Sequence, residues 1–362
     1  MKKRSVTVML TNRCNLNCIY CYETNKENKE IELNTALKII GQELSCNDGY
    51  DSIEFNLFGG EPFLRFDLIQ SIYDYLDSNP YKKNWTIGLI TNGTVLSNEI
   101  KDWLREHKKN VFCTLSIDGN KEMQDRNRNN SFDLIDIDFF VSTYQLPYAK
   151  MTVSEYTVDS LCDGILYLQN KGFYVNCGVA YGIEATEYFL KELSLQLDMY
   201  FEHMKKEEYA EKSSLLRFPY ESIYMGKGKY YRSCDAGTVA KAYDIDGKIY
   251  PCYMFLPVSI STKQAKNIDD IVFPDLEVNE KNIPCQCKEC RIYSVCNNCY
   301  CNNYKINGNI YIPDTNVCQT SKLIIRKKAE FFAYLWNENK LELSQRQEKM
   351  LVDSILLILK EV

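Results

Sequence analysis

The stretch Cys14-Asn-Leu-Asn-Cys18-Ile-Tyr-Cys21 constrains this chain more than any other. Three cysteines at CxxxCxxC spacing stand directly after a strand-like run, Ser5 to Thr11. Three thiolates so close in sequence can wrap one soft metal centre. A closed zinc site, or a fully ligated iron–sulfur cluster, takes four protein ligands. This loop offers three, and no further cysteine occurs before Cys46. The simplest reading is a 4Fe–4S cluster with one iron left open, where chemistry can happen.

A second motif, Phe58-Gly59-Gly60-Glu61-Pro62, closes the next strand-like run but one helix away. Taken alone, the cysteines read as ordinary reduced thiols and the Gly-Gly-Glu-Pro as an ordinary turn. Together, in order and each after a strand, they resemble the signature and the GGEP element of radical SAM enzymes. The resemblance implies that the open iron chelates the amino and carboxylate groups of S-adenosylmethionine (SAM). Gly59 and Gly60 would let the backbone approach the methionine moiety, where a Cβ would obstruct. Glu61 would stabilise the bound ammonium, Tyr20 would lie against the adenine, and Ser116 would reach the ribose with Asn92 nearby. The stretch Asp118-Gly119 to Gln124-Asp125-Arg126 resembles the family's DG…HDxxR, with Gln124 in place of His. No catalytic role is therefore carried over there.

The chain has 362 residues, enough for one large domain or two to three ordinary ones. A net charge of −6 gives no sign of a nucleic-acid-binding surface. The basic-then-apolar N-terminus stops at Thr11, so it is no signal peptide. No apolar run reaches the about 18 residues that a transmembrane helix needs. The expected location is cytoplasmic, with no membrane partner. Sixteen cysteines accompany only two histidines. In a large chain without a signal, this favours all-thiolate metal sites over disulfides. His107 and His203 read as helix-face residues.

Residues 1–225 repeat strand and helix. Val6, Val8 and Leu10 alternate, as do Ile53, Phe55 and Leu57, then Trp85, Ile87 and Leu89, then Val111, Cys113 and Leu115. Further strands are expected near Met151 to Ser154 and Phe173 to Ala180. Asn34 and Ser97 are candidate helix caps, and Gly172 a C-terminal one. Six such units predict an α/β fold with a parallel sheet, matching the partial (β/α)6 barrel of the radical SAM type. The Cys loop, Gly59 to Glu61, Thr91 to Gly93 and Ser116 to Asp118 all follow strands, where such folds place function. Cys46, Cys113, Cys162 and Cys177 read as buried small hydrophobes.

Residues 226–320 hold nine cysteines, from Cys234 to Cys318. Asp244 to Gly247 signals a hairpin between apolar alternations. The order Cys234, Gly247, Cys252, then Cys287, Cys290, Cys296 and distant Cys318 resembles the SPASM domain. That module holds auxiliary 4Fe–4S clusters, here two. The resemblance implies that Cys287, Cys290, Cys296 and Cys318 ligate the outer one. Cys234, Cys252 and either Cys299 or Cys301 would ligate the inner one, because the family's next cysteine position falls on Tyr300. A fourth inner ligand is left open between the other of that pair, Cys285, or none. The plain alternative is structural zinc. Residues 321–362 read as C-terminal amphipathic helices packing on the core.

Family resemblance implies that the reduced first cluster cleaves SAM to a 5′-deoxyadenosyl radical, which abstracts hydrogen from substrate. SPASM-bearing members mostly modify ribosomally made peptides or proteins. The expected function is a peptide maturase that forms a thioether or other crosslink, fed by a low-potential donor such as flavodoxin or ferredoxin. Only 13 residues precede Cys14, so the expectation is that a separate protein or the barrel itself binds a leader, or that the enzyme needs none. The rival is the anaerobic sulfatase-maturating type, which oxidises Cys or Ser to formylglycine. That branch usually has an Asp where Tyr253 follows Cys252. A non-catalytic zinc scaffold is a distant alternative.

Overall fold

Loops that hold metal need rigid strand ends, and alternating apolar residues supply these. The computed structural model describes residues 2–226, 232–261, 263–264, 267–278 and 283–361. Met1 of the basic N-terminus and residues 227–231, at the start of the cysteine-rich segment, lie outside these described residues. One compact unit comprises Met1–Ile117, Arg128–Ala149 and Asp235–Phe273; the other comprises Asp118–Asn127, Lys150–Cys234 and Pro274–Val362. Among the described residues the strands are β1 (Lys3–Thr11), β2 (Ser52–Gly59), β3 (Asn84–Thr91), β4 (Val111–Ser116), β5 (Tyr148–Val153), β6 (Tyr174–Val179), β7 (Ala240–Tyr243) and β8 (Ile249–Tyr250).

In the first unit the strand order is β4-β3-β2-β1-β7-β8. All neighbours run parallel except β7 and β8. Val8 stands opposite Leu57 and Tyr243, and Leu57 opposite Leu89. Val6, Val8, Phe55, Leu57, Ile87 and Leu89 are buried and form the sheet's core layer. Each such side chain contributes roughly 1.5–3 kcal/mol by leaving water. Parallel pairing also fixes function, because it brings the C-terminal ends of β1 to β4 to one rim. Thr11 is in register with Gly59, and Thr91 with Leu115.

The Asp-Gly hairpin forms as its sequence signals. Asp244 Oδ1 accepts from the amides of Asp246 and Lys248 at 3.0 and 2.8 Å, and Gly247 takes φ +80°. The strand before the turn, β7, extends the first unit's sheet beside β1. Helix α1 (Leu33–Ser45) buries Ala36, Ile39, Ile40 and Leu44. Its N-cap is Glu32, not Asn34. The Ile31 amide bonds to Leu10 O at 2.9 Å, which pins the chain and starts the helix earlier than the cap signal. Helix α2 (Phe66–Ser78) follows the Gly-Gly-Glu turn. Ser97 caps α3 (Asn98–His107) through the Ile100 amide, as expected. His107 ends α3, packed on Tyr73 and Trp103 at ring distances of 4.1 and 4.7 Å.

In the second unit β5 neighbours β6. A short helix, α4 (Lys121–Asn127), follows a buried polar network. Asp118 is fully buried; its Oδ1 accepts from the Thr152 amide at 2.8 Å and its Oδ2 from Asn127. Gln124, the residue standing for the family's His, accepts from the Asp118 amide at 2.8 Å. It braces the turn from inside. Helix α5 (Leu161–Asn170) ends at Gly172, with φ +101°. Helix α6 (Glu187–Met204) carries Phe201, stacked at 4.8 Å on Phe331 of α8 (Thr315–Asn337), which follows α7 (Tyr300–Asn307). Helix α9 (Gln345–Glu361) follows α8. Cys113 and Cys162 are buried as expected, but Cys46 is exposed. It falls one residue beyond α1, past the end of that helix's apolar face.

Candidate metal centres and cofactor site

The site in the first unit is built from backbone before side chains. The Gly60 amide donates to Thr11 O at 3.0 Å, and the Glu61 amide to Arg13 O at 2.8 Å. The Gly-Gly-Glu turn is thus bonded directly to the segment that leads into Cys14. A Cβ on Gly60 would lie 2.3 Å from Arg13 O and 2.9 Å from Cys14 Cβ. The glycines therefore serve a chain-to-chain approach that spacing alone does not reveal.

Glu61 is 1% exposed. Its Oε1 accepts from Thr91 Oγ1 at 2.8 Å and the Phe63 amide at 3.2 Å; its Oε2 accepts from the Asn92 amide at 2.8 Å. The carboxylate ties the ends of β2 and β3 together. Burial pushes its pKa up to about 7, against the pull of these three donors. Asn92 continues the bracing. Its side chain donates to Asn15 Oδ1 at 2.9 Å and approaches Cys14 Sγ at 3.9 Å, while its Oδ1 accepts from the Thr94 amide and hydroxyl. Asn15 Nδ2 closes the ring on Thr94 Oγ1 at 2.7 Å. This cross-link fixes the first turn of the cysteine loop.

Within that loop the Leu16 amide donates to Cys14 Sγ at 3.5 Å, and the Cys21 amide to Cys18 O at 3.1 Å. Burial raises the Cys14 thiol pKa, and the Leu16 amide and the Lys26 ammonium pull it back. Cys14, Cys18 and Cys21 all fall within the field of Lys26. Tyr20 lies under the Arg128 guanidinium at 5.4 Å, and Ser116 is buried at the end of β4. Cys252 also belongs to this unit and lies near Tyr22. Its neighbour Tyr253 packs its ring 5.3 Å from Phe58 and 6.0 Å from Tyr22.

The second unit gathers a second group of thiols. Burial pushes Cys287 up to about 12, helped by Cys290, Cys318 and Cys296 nearby. Cys296 rises to about 11 through burial, offset by the Ser321 hydroxyl and the Asn298 amide. Cys299 rises to about 11 for the same reason, with the Asn302 amide opposing and Cys234 adding to the rise. Cys301 is 1% exposed inside α7, and Cys285 is exposed. Among the described residues no three His, Cys, Asp or Glu side chains converge tightly enough for a single metal ion. Sequence reasoning placed Thr91 at a functional strand end without a role, and missed Asn15 and Lys26. Only Lys26 left a trace, as the cation soon after the third cysteine.

A glycine-cradled three-cysteine loop thus stands at the rim of a parallel sheet. Residues 8–185 match the Radical SAM superfamily, and the chain carries that domain. The sporulation killing factor maturation protein SkfB of Bacillus subtilis is 26% identical over 269 residues, covering 69% of this chain and 60% of that one. Native anSMEcpe with bound AdoMet has the same fold, with TM-score 0.64 and 16% identity over 98% of this chain and 100% of that one. So has SuiB of Streptococcus suis bound to precursor peptide SuiA, with TM-score 0.59 and 14% identity over 88% and 76%. The chain spans between 28% and 60% of the length of the curated relatives it matches. No helix among the described residues is long and apolar enough to cross a membrane.

Proposed function

We propose that this protein is a SPASM-type radical SAM maturase that crosslinks a ribosomally made peptide, with a thioether as the leading product. The carrying observation is the Cys14–Cys21 loop, hydrogen-bonded through Arg13 and Thr11 to the Gly59-Gly60-Glu61 turn. Support for a peptide substrate comes from the maturation protein SkfB and from SuiB, bound to its precursor peptide. When bound, the cluster and SAM supply one-electron cleavage of the sulfonium and a hydrogen-abstracting radical.

The chain's own residues hold these groups. Cys14, Cys18 and Cys21 would ligate three irons. A carboxylate has about four acceptor positions, and Glu61 spends three on the chain. The fourth suits an N–H of the SAM amino group. Asn92 and Ser116 line the rim for the ribose, and Tyr20 for the adenine. In the second unit Cys287, Cys290, Cys296 and Cys318 would hold one auxiliary cluster. Cys234 and Cys299 would contribute to the other, and we assign Cys299 rather than Cys301 because it lies near Cys234. A flavodoxin or ferredoxin would supply electrons.

The test is incubation of the anaerobically reconstituted protein with SAM, a low-potential reductant and short peptides encoded beside its gene. A peptide that loses two hydrogens and gains a crosslink is the expected product. A hydrazide-reactive aldehyde instead would establish the formylglycine chemistry of the second reading.

Glu61 adds a pH dependence. The iron-chelating amine donates an N–H, which favours the ionised carboxylate, so binding expels the proton that the buried group holds below about 7. Chelation also needs the amine deprotonated, so SAM affinity should rise through pH 7 and level off only above the α-amino pKa of about 8. Equilibrium binding from pH 6 to 9 checks the slope, and Glu61→Gln should lessen its part below pH 7.

A further inference from the structure

The sequence reading gives Lys26 no role, but its surroundings point to one. Asn25, the residue before it, is pinned at three places. Its amide donates to Val258 O at 3.0 Å, and its side chain to Pro257 O and Ile260 O at 3.1 and 2.7 Å. From this anchor the Lys26 side chain reaches back, and Nζ donates to Leu16 O at 3.4 Å. Leu16 lies between Cys14 and Cys18, and its own amide donates to Cys14 Sγ. The ammonium is therefore held against the cysteine loop by the loop's own backbone. Cys21, Cys14 and Cys18 all lie within its field, as does the buried Glu23.

We infer that Lys26 is a fixed counter-charge that raises the reduction potential of the cluster ligated by Cys14, Cys18 and Cys21. The inference rests on the cluster assignment made above. Three thiolates on a doubly positive four-iron core carry one net negative charge, and reduction adds a second. A fixed cation stabilises the more negative state, and net charge around a cluster is one of the levers on its potential. Partial burial keeps the interaction from being screened away. Lys26 thereby brings the cluster within reach of a flavodoxin-like donor. It acts through the cluster, and is a positioning residue rather than a reacting one. Glu23 and Glu61 oppose it.

The test is a potentiometric titration, followed by electron paramagnetic resonance, on the full-length reconstituted protein. The signal that changes on adding SAM identifies the cluster in question. In Lys26→Gln, which keeps a donor for Leu16 O, the reduced-to-oxidised ratio at fixed potential should fall about tenfold, a shift of about 59 mV. Lys26→Arg should stay near the wild-type midpoint. Glu23→Gln should move it the other way. An unchanged midpoint in Lys26→Gln, with iron content retained, would overturn the inference. If Lys26→Gln holds no iron there, Glu23→Gln decides, and an unmoved or more negative midpoint overturns it equally. Absence of any SAM-responsive signal in the wild-type protein would instead overturn the cluster assignment.

Discussion

Cys18→Ala protein, reconstituted anaerobically, is expected to hold about eight irons per chain against about twelve in the wild type, and to make no 5′-deoxyadenosine. Three thiolates are the fewest that can hold a four-iron core while leaving one iron for SAM. The loop has no spare: Cys46 is the next cysteine, and it stands exposed beyond α1. The outer auxiliary set should be untouched, because Cys287, Cys290, Cys296 and Cys318 are gathered by the second unit's own chain. Iron analysis and product chromatography check both halves. Retained 5′-deoxyadenosine formation would falsify the assignment of the SAM-binding cluster. Loss of all iron would show that the auxiliary centres depend on the first.

Gly60→Ala should be nearly as damaging, though it removes no ligand. Its Cβ would meet Arg13 O at 2.3 Å and Arg13 C at 2.5 Å. Both are backbone atoms, so no side chain can swing aside. Moving either strand end would break the Gly60–Thr11 and Glu61–Arg13 hydrogen bonds, each of which seats the cysteine loop. Overpacking of this kind costs on the order of 3 kcal/mol. We expect a lowered Tm, poor retention of the first cluster and at least a tenfold loss of SAM cleavage. Gly178→Ala is the control. It meets nothing within 4 Å and needs no positive φ, so it should be neutral or stabilising by about 0.4–1 kcal/mol. Equal Tm values for the two variants would show that the close approach is not what holds the loop.

Much of the fold was legible because the signals are local. Val6, Val8 and Leu10 alternate whatever lies around them, and Ser97 caps α3 through a neighbour three residues on. Asp244 to Gly247 folds as its own hydrogen bonds dictate. Asn34 misled because the start of α1 is set from outside, by the bond from Ile31 to Leu10. Cys46 misled because periodicity does not say where a helix's covered face stops. Pairing of β7 with β1 joins chain segments far apart in sequence, and composition carries no sign of such a register.

The sequence alone determined the cysteine spacing, the Gly-Gly-Glu-Pro turn and their places at strand ends. From these follow the class of cofactor and the number of thiolates offered to it. These are properties of residue type and short-range order, and they survive any rearrangement of the rest. Tertiary structure decided which groups those motifs face. It set Glu61 between Thr91 and Asn92, gave Gly60 its contact with Arg13, and brought Lys26 to the loop from an anchor at Pro257 to Ile260. The physical reason is range. Hydrogen-bond partners and fields act over a few ångströms of space, and only the folded chain fixes which residues lie that close.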